Sequence, residues 1–314
     1  MATQRVLDFL ATRRPSGPCV VVDLDVVRDN FRAFEKAMPD SKIYYAVKAN
    51  PAPEILRLLA SMGSSFDCAS VAEIEMAMDA GASADRISYG NTIKKERDIL
   101  RAFELGIRLF AIDCVEEAEK IGRVAPGSKV FCRVLTDGEG AEWPLSRKFG
   151  CAPSMAIDVL RHAKALNLTP WGVSFHVGSQ QVNLDAWDRA LADAKMVFAT
   201  LAEEGIVLGL VNMGGGFPTR CLKDVPSAQS YGQAIFGYLR KHFGNVLPET
   251  IIEPGRGMVG NAGVIRAEVG LVSKKHANDN QRWVYLDIGR FGGLAETMDE
   301  AIRYPISTPR DGDA

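Results

Sequence analysis

The stretch "IYYAVKANP", residues 43–51, is a run of apolar and aromatic residues that ends in a single lysine, Lys48, just before a turn. Such a run favours a buried β-strand. A lysine at the end of a strand most often lays its stem on the core and keeps its ammonium group in water. A few such lysines instead form Schiff bases with carbonyl compounds. The rest of the chain has to decide between these two interpretations.

Seven more runs of β-forming residues follow, and helical patterns separate them. The eight predicted strands are "KIYYAVK", "SSFDCA", "RISYG", "IRLFAID", "KVFCRVL", "WGVSFHV", "LGLVNM" and "ETIIEP". The predicted helices cover residues 53–62, 70–81, 95–105, 115–123, 153–166, 184–204 and 228–243. Strands that alternate with helices in this way predict a parallel sheet, and eight of them predict a (β/α)8 barrel of the TIM type over residues 41–260.

The two ends of the chain do not follow this alternation. "PCVVVDLDVV" precedes the first unit, and "GVIRAEVGLVSKK" and "RWVYLDIGRFGG", joined by the polar turn "HANDNQ", follow the eighth. These segments are rich in β-forming residues and have no helical pattern between them. We therefore expect a second, all-β module built from both chain ends, residues 1–40 and 261–314.

Composition limits the classes of partner. The 314 residues include 37 lysines and arginines against 39 aspartates and glutamates, a net charge of −2, which predicts no nucleic-acid or membrane partner. The six cysteines lack Cys-x-x-Cys spacing, which favours buried reduced thiols over disulfides or a metal site. No run has the length of a membrane span, and charges interrupt the first residues, so the sequence predicts a cytoplasmic protein that binds small molecules or copies of itself.

Polar residues stand where the predicted barrel strands end, which is where barrel enzymes place their active sites. They are Lys48, Asp67, Arg133, His176, the glycines 214–216 and Glu253 with Arg256. Each alone has a structural explanation: Asp67 could cap a helix, His176 could be a core histidine, and Glu253 could form a rim ion pair. The "GGGFP" segment does not match a dinucleotide-binding fingerprint.

As a set, these residues suit a ligand with a reactive aldehyde, a flat ring and a phosphate, which describes pyridoxal phosphate. Lys48 can form a Schiff base with the aldehyde, and His176 can stack on the ring. Glu253 can keep the pyridine nitrogen protonated, which makes the ring an electron sink. The glycines let backbone N–H groups approach the phosphate, and Arg256 adds a positive charge. We expect the apolar strand to keep the Lys48 amine dry and nucleophilic.

The motifs "YYAVKANP", "FDCAS", "FHVGSQ", "GGGFP" and "EPGR" resemble, in this order, those of the fold-type III pyridoxal-phosphate decarboxylases, the ornithine, diaminopimelate and arginine decarboxylase group. The resemblance covers residues 18–306. It implies that Lys48 carries the cofactor, that His176 stacks on its ring and that Glu253 meets the pyridinium. It further implies that the phosphate is bound by Ser179, Gly215, Gly216, Gly255 and Arg256. The positions that it implies around the ring and the closing site are Asp67, Glu73 and Arg133.

Within this group, "GGGFP" and the "RKFG" of residues 147–150 resemble the ornithine branch, and "DIGRFGGLAETMDEAIRYPI" resembles bacterial ornithine or lysine/ornithine enzymes. The resemblance implies a homodimer that converts L-ornithine to putrescine for polyamine biosynthesis. Family members continue into a Cys-Asp motif and a phosphate-binding tyrosine, whereas this sequence ends in "STPRDGDA". The resemblance therefore implies a fragment with an incomplete β module and impaired turnover, and we expect a family-like C-terminal segment to raise that turnover by orders of magnitude.

Other functions stay open at this point. The chain could be a weak or inactive homologue that binds pyridoxal phosphate and acts by dimerisation. It could also decarboxylate lysine or diaminopimelate. A racemase of the same fold type is less favoured. Racemases of this architecture usually need a tyrosine base from the late β module, and this sequence does not include that tyrosine. A barrel with unrelated chemistry would have to match five motifs by chance.

Overall fold

Eight parallel strands close into a barrel in the computed structural model, which describes residues 2–13, 15–143, 148–308 and 310–311. Arg147 of the "RKFG" motif lies outside these residues. In chain order, strands β1 to β14 are Cys19–Val22, Ser41–Ala46, Ser65–Cys68, Ile87–Tyr89, Leu109–Ile112, Lys129–Arg133, Ala141–Trp143, Thr169–Ser174, Ser179–Gln181, Leu210–Asn212, Glu249–Ile252, Gly263–Arg266, Val269–Ser273 and Trp283–Leu286.

The helices alternate with the barrel strands and cover them from outside. In chain order, helices α1 to α10 are Gln4–Thr12, Leu24–Ala37, Pro53–Ser61, Val71–Asp79, Glu96–Glu104, Val115–Val124, Pro153–Ala165, Asp185–Glu203, Ala228–Phe243 and Arg256–Val259. Short 3-10 turns occur at Val47–Ala49, Ala84–Arg86 and Ala295–Glu300. The seven predicted helices correspond to α3 to α9, with ends that agree to within two residues.

The barrel order is β2, β3, β4, β5, β6, β8, β10 and β11, and β11 pairs with β2 to close it. All eight predicted strands are confirmed. Alternate side chains point inward and outward. A small buried cluster with one residue from each of five strands fills the inside, and it consists of Tyr44, Ala111, Phe131, Leu210 and Ile251. A much larger apolar cluster joins the outer face of the strands to the helices.

Helix α2 was not predicted. The segment "PCVVVDLDVV" forms a strand only over Cys19–Val22, and Asp23 then caps the new helix by accepting a hydrogen bond from the Asp25 N–H at 3.0 Å. Val27, Phe31 and Phe34 lie one helical turn apart and are buried, so this helix packs its apolar face on the barrel beside α9. The β-branched residues of the segment concealed the helical period.

Both chain ends contribute strands outside the barrel, as predicted. β1 pairs antiparallel with β12, so the N-terminal segment and the segment after the barrel share one two-stranded sheet. β13 and β14 form an antiparallel hairpin across the predicted polar turn. A third ribbon, β7 with β9, was not predicted and lies on the loops that follow β6 and β8. This ribbon places Ser179 beside the end of the barrel.

Three of the six cysteines, Cys68, Cys132 and Cys151, are buried as predicted, while Cys19, Cys114 and Cys221 are only half-buried. The Sγ atoms of Cys132 and Cys151 lie 3.6 Å apart as separate thiols. Among the described residues, no helix combines the length and apolar character needed to cross a membrane.

Candidate active site

The carboxyl ends of the barrel strands bring together the residues that the sequence singled out. Lys48 follows β2, Asp67 lies on β3, Arg133 ends β6, His176 follows β8 and Glu253 follows β11. Burial raises the pKa of Asp67 and of Glu253 and lowers that of His176, and the charges of Lys48 and Arg133 oppose the two rises and add to the fall. Five side chains at the ends of five strands therefore lie close enough at one end of the barrel to influence one another.

Lys48 is more exposed than its sequence suggested. The strand ends at Ala46, and Lys48 lies in the 3-10 turn Val47–Ala49 with 59% of its side chain exposed. Its Nζ lies 3.8 Å from Oδ2 of Asp67, and that carboxyl group is buried. The expectation that the strand keeps this amine dry is therefore wrong, because the turn lifts the side chain out of the apolar strand. What the amine has instead is a neighbouring carboxylate.

Asp67 carries a buried polar atom without a partner. Burial raises the pKa of Asp67, although the positive charges of Lys48 and Arg133 oppose this. Its Oδ1 atom makes no hydrogen bond with any described group. Gly90 directly follows β4, the strand beside β3. Because it lacks a side chain, it leaves room for this carboxyl group, since a Cβ there would lie 1.8 Å from Oδ1. A buried acceptor without a partner is uncommon, and a hydrogen-bond donor on a bound ligand would satisfy it.

His176 and Arg133 contribute a neutral ring and a buried positive charge. Burial, Arg133 and Lys48 lower the pKa of His176 to about 3, so its imidazole is uncharged at neutral pH. Its Nδ1 accepts a hydrogen bond from the Gly178 N–H at 3.0 Å, which fixes the ring orientation and leaves the proton on Nε2. Burial lowers the pKa of Arg133, while Glu253 and Asp67 oppose this.

Glu253 is held by an amide that the sequence analysis did not single out. Asn212, buried at the end of β10, donates from Nδ2 to Oε1 of Glu253 at 2.5 Å, and its Oδ1 accepts from the Gly214 N–H at 3.0 Å. Burial and the charge of Asp67 raise the pKa of Glu253 to about 7, and the Asn212 hydrogen bond opposes this rise. The signal in the sequence was the position of Asn212, as the last polar residue of a barrel strand.

The glycines of "GGGFP" form a turn that strongly favours glycine. Gly214 and Gly216 have φ angles of +64° and +104°, a region that residues with a Cβ rarely adopt. A Cβ on Gly215 would lie 2.7 Å from the Glu253 carbonyl oxygen and 3.2 Å from Nε2 of His176. A Cβ on Gly216 would lie 2.7 Å from the Gly178 carbonyl oxygen. The bare backbone therefore approaches both His176 and the segment before Ser179.

Arg256 and Ser179 meet beside this turn. The Nε–H of Arg256 donates to the Ser179 hydroxyl oxygen at 3.2 Å. Gly255 directly precedes Arg256 and packs against the turn that follows β2, since a Cβ on Gly255 would lie 3.1 Å from the Cβ of Ala49. The other side of the guanidinium faces Glu296, which the sequence analysis did not consider and whose two carboxylate oxygens accept from Nη1 at 3.0 Å and from Nη2 at 2.5 Å.

Glu73 lies at the edge of this arrangement. It caps the start of α4: its Oε2 accepts from the Ala69 N–H at 2.6 Å, while its own N–H donates to the Ser70 hydroxyl at 3.3 Å. Burial raises the pKa of Glu73, and the charge of Lys48 opposes this. The structure therefore gives Glu73 a capping role and leaves it within electrostatic reach of the candidate site.

The residues present fit pyridoxal phosphate. An amine, an acidic residue for the pyridine nitrogen, a neutral ring and a glycine turn beside a serine and an arginine lie at one end of the barrel. The unpaired Oδ1 of Asp67, and a glycine turn that brings bare backbone close to His176 and to the segment before Ser179, are the observations on which this fit rests. Lys48, His176, Glu253, the glycine turn and Arg256 are the residues that would hold it.

Comparison with known proteins shows the family of the chain. Residues 24–260 match the family model described as pyridoxal-dependent decarboxylase, pyridoxal binding domain. The lysine/ornithine decarboxylase of Selenomonas ruminantium is 33% identical over 309 residues, which cover 97% of this chain and 76% of that protein. The chloroplastic ornithine decarboxylase of Nicotiana glutinosa is 38% identical over 243 residues, 76% of this chain and 55% of that protein.

The solved structure of a lysine/ornithine decarboxylase from Vibrio vulnificus, complexed with cadaverine, superposes with a TM-score of 0.87. It is 29% identical, and the match covers 98% of this chain and 82% of that one. Family model, relatives and fold agree with the family that the five motifs indicated. The chain belongs to the pyridoxal-dependent decarboxylase family of the ornithine and lysine decarboxylases, whose cofactor is pyridoxal phosphate.

Proposed function

We propose that this chain decarboxylates L-ornithine to putrescine with pyridoxal phosphate as its cofactor. The observation that carries the proposal is the gathering of Lys48, Asp67, His176 and Glu253 at one end of the barrel beside the glycine turn. The ornithine assignment is supported by relatives whose names include ornithine. A place in polyamine biosynthesis follows from the product, because putrescine is a diamine.

Pyridoxal phosphate, when bound, supplies an aldehyde that condenses with amines and a ring that accepts the electron pair left when carbon dioxide departs. With the cofactor bound, the Nζ of Lys48 would hold its aldehyde end, and the amine of an incoming amino acid would take over that position. Glu253 would accept the hydrogen bond of the pyridine nitrogen and help to keep that nitrogen protonated. The neutral imidazole of His176 offers a flat face that does not repel a protonated ring.

The phosphate end would lie at the glycine turn. Backbone N–H groups at Gly215 and Gly216 are free of a covering Cβ, and Ser179 can donate its hydroxyl proton because Arg256 already uses its lone pair. The Asp67 carboxylate lies 3.8 Å from the Nζ of Lys48, so it would be placed to take up the proton that moves when amines exchange. Arg133 offsets the negative charges of Asp67 and Glu253.

The test is carbon dioxide release from carboxyl-labelled ornithine by the purified chain supplied with pyridoxal phosphate. We expect release with ornithine, putrescine as the product, and loss of at least 1,000-fold in Lys48→Ala, roughly the effect of removing a covalent catalyst. Lys95→Ala, a change at an exposed lysine, is the matched control and should keep full activity. No release from ornithine together with release from lysine or diaminopimelate would overturn the substrate assignment.

A chain that binds the cofactor but releases no carbon dioxide from any of these amino acids would instead be the non-catalytic homologue. A chain that racemises amino acids without releasing carbon dioxide would be a racemase. The same assay, repeated with a family-like C-terminal segment joined to the chain, measures the expected impairment. A large gain in rate supports that expectation, and an unchanged rate contradicts it.

We also propose a homodimer and the domain boundaries given above, with the barrel over residues 41–260 and the β module over residues 1–40 and 261–314. The dimer is supported by the apolar residues exposed on the β13–β14 hairpin. The pairing of β1 with β12 supports these boundaries, whereas α2 lies within residues 1–40 and packs on the barrel. The cytoplasmic location stays a prediction from the sequence.

A further inference from the structure

Glu296 lies on the segment after the β13–β14 hairpin and holds the guanidinium of Arg256. Its two carboxylate oxygens accept from Nη1 at 3.0 Å and from Nη2 at 2.5 Å, which makes a two-point ion pair. The Arg256 side chain is 17% exposed and that of Glu296 is 43% exposed. The pair is therefore anchored on the barrel by a largely buried arginine and reached from outside by a half-exposed glutamate.

The same two N–H groups of Arg256 are the ones that a phosphate would use. A guanidinium binds a phosphate best through two parallel hydrogen bonds from one edge. The Nε–H of Arg256 is directed at Ser179, so the remaining edge is the one that Glu296 occupies. A phosphate beside this edge would also face the negative charge of Glu296, and two anions this close repel each other.

The segment that carries Glu296 is suited to releasing the arginine. Glu296 belongs to the 3-10 turn Ala295–Glu300, in which Met298 and Asp299 have non-helical backbone angles. Asp299 and Glu300 have φ angles of +54° and +56°, which are unfavourable for residues with a Cβ. Besides Arg256, the Glu296 carboxylate has the Tyr304 hydroxyl as a donor at 3.1 Å. Its exposed side can move into water.

We propose that Glu296 competes with the phosphate group of pyridoxal phosphate for Arg256. In the cofactor-free chain Glu296 occupies the arginine, and cofactor binding displaces it. This inference rests on the proposed function, since it assigns Arg256 to the phosphate. It makes the segment that carries Glu296 a determinant of cofactor affinity.

The experiment measures dissociation constants of two vitamers from the yellow absorbance of their imines. Pyridoxal phosphate carries the phosphate and pyridoxal lacks it, so only the first needs Arg256. Glu296→Gln should tighten binding of pyridoxal phosphate by about fivefold, the effect of a partly exposed ion pair. The dissociation constant of pyridoxal should stay within about twofold of its value for the unmodified chain, which is less than the change expected from loss of such an ion pair.

Glu300→Gln is the matched control, because Glu300 lies in the same turn but pairs with Arg303 on the surface. It should change neither constant. Tyr304→Phe removes one donor to Glu296 and should give a smaller shift in the same direction. Unchanged or weaker binding of pyridoxal phosphate in Glu296→Gln, or equal tightening of both vitamers, would overturn the proposal.

Titration with inorganic phosphate, followed by calorimetry, separates this proposal from the proposed function. If neither vitamer forms an imine, the proposed function fails. The calorimetric comparison still decides the role of Glu296 in that case. Tighter phosphate binding by Glu296→Gln than by the unmodified chain supports the competition, and equal or weaker binding contradicts it.

Discussion

Glu253 shows how one residue of the site depends on its surroundings. Burial and the nearby Asp67 raise the pKa of Glu253 to about 7, above its ordinary value of 4.5, while the amide of Asn212 opposes the rise. The folded cofactor-free chain therefore keeps a proton on Glu253 between about pH 4.5 and 7, where the unfolded chain loses it. The stability from this group is complete below pH 4.5 and is lost as the pH rises through 7.

We predict that Glu253→Gln makes the free energy of unfolding less dependent on pH. From pH 4.5 to 7 the unmodified chain should lose roughly 2 kcal/mol more than this variant. Part of the fall should remain, because burial also raises the pKa of Asp67. Urea unfolding of the cofactor-free chain at several pH values measures the difference. Glu104→Gln, at an exposed position, should leave the pH dependence as it is, and an equal fall in all three chains would contradict the prediction.

The sequence allowed the candidate site residues to be identified, but it did not reveal their burial or their hydrogen-bond partners. Motifs located Lys48, His176 and Glu253 because lysine, histidine and glutamate are conspicuous at strand ends. The exposure of Lys48 could not be foreseen, since it depends on the strand ending two residues earlier. Asn212 and Glu296 act through hydrogen bonds to other site residues, and such contacts between distant positions leave no local pattern.

Among the elements, the barrel strands and helices α3 to α9 followed from periodicity, because each has a strong apolar pattern of one kind. Helix α2 did not, since its β-branched start resembles a strand. The β7–β9 ribbon was also missed, because each strand has only three residues and depends on tertiary pairing. The short strands that bring Ser179 to the site are thus the elements that are hardest to predict from a sequence.

The glycine turn after β10 gives a prediction at the scale of an element. Gly216→Ala should lower the free energy of unfolding by about 2 kcal/mol or more, because φ is +104° and the new Cβ would lie 2.7 Å from the Gly178 carbonyl oxygen. It should also weaken binding of pyridoxal phosphate. Urea unfolding and the imine absorbance measure the two effects.

Gly237→Ala is the control, since Gly237 lies inside α9 with no atom within 4 Å of its would-be Cβ. Alanine there should raise stability by about 0.5–1 kcal/mol, the usual difference in a helix. If both variants behave alike, the close approach of the Gly216 backbone has no energetic importance.

At the scale of the whole molecule, the β13–β14 hairpin exposes apolar residues. Val272 and Val284 face each other across the two strands and are 46% and 56% exposed. Exposed apolar residues on adjoining strands commonly mark an interaction surface. The predicted β module therefore has a face that the described residues do not cover.

We predict that Val272→Ser with Val284→Ser weakens self-association at least tenfold, as expected when about two apolar side chains leave an interface. Sedimentation over a range of concentrations measures the dissociation constant of the dimer. Val207→Ser with Val246→Ser is the control, because these residues are 79% and 88% exposed and lie outside the hairpin. Equal association of both double variants would show that the hairpin is not the contact.

The central claim, that the Lys48 amine condenses with the aldehyde of pyridoxal phosphate, has one direct measurement. The purified chain is incubated with pyridoxal phosphate, reduced with borohydride and digested, and the modified peptide is identified by mass spectrometry. The account predicts one stoichiometric phosphopyridoxyl group, on Lys48, and its loss in Lys48→Ala. A modification on another lysine, or a chain that stays colourless and unmodified, would contradict it.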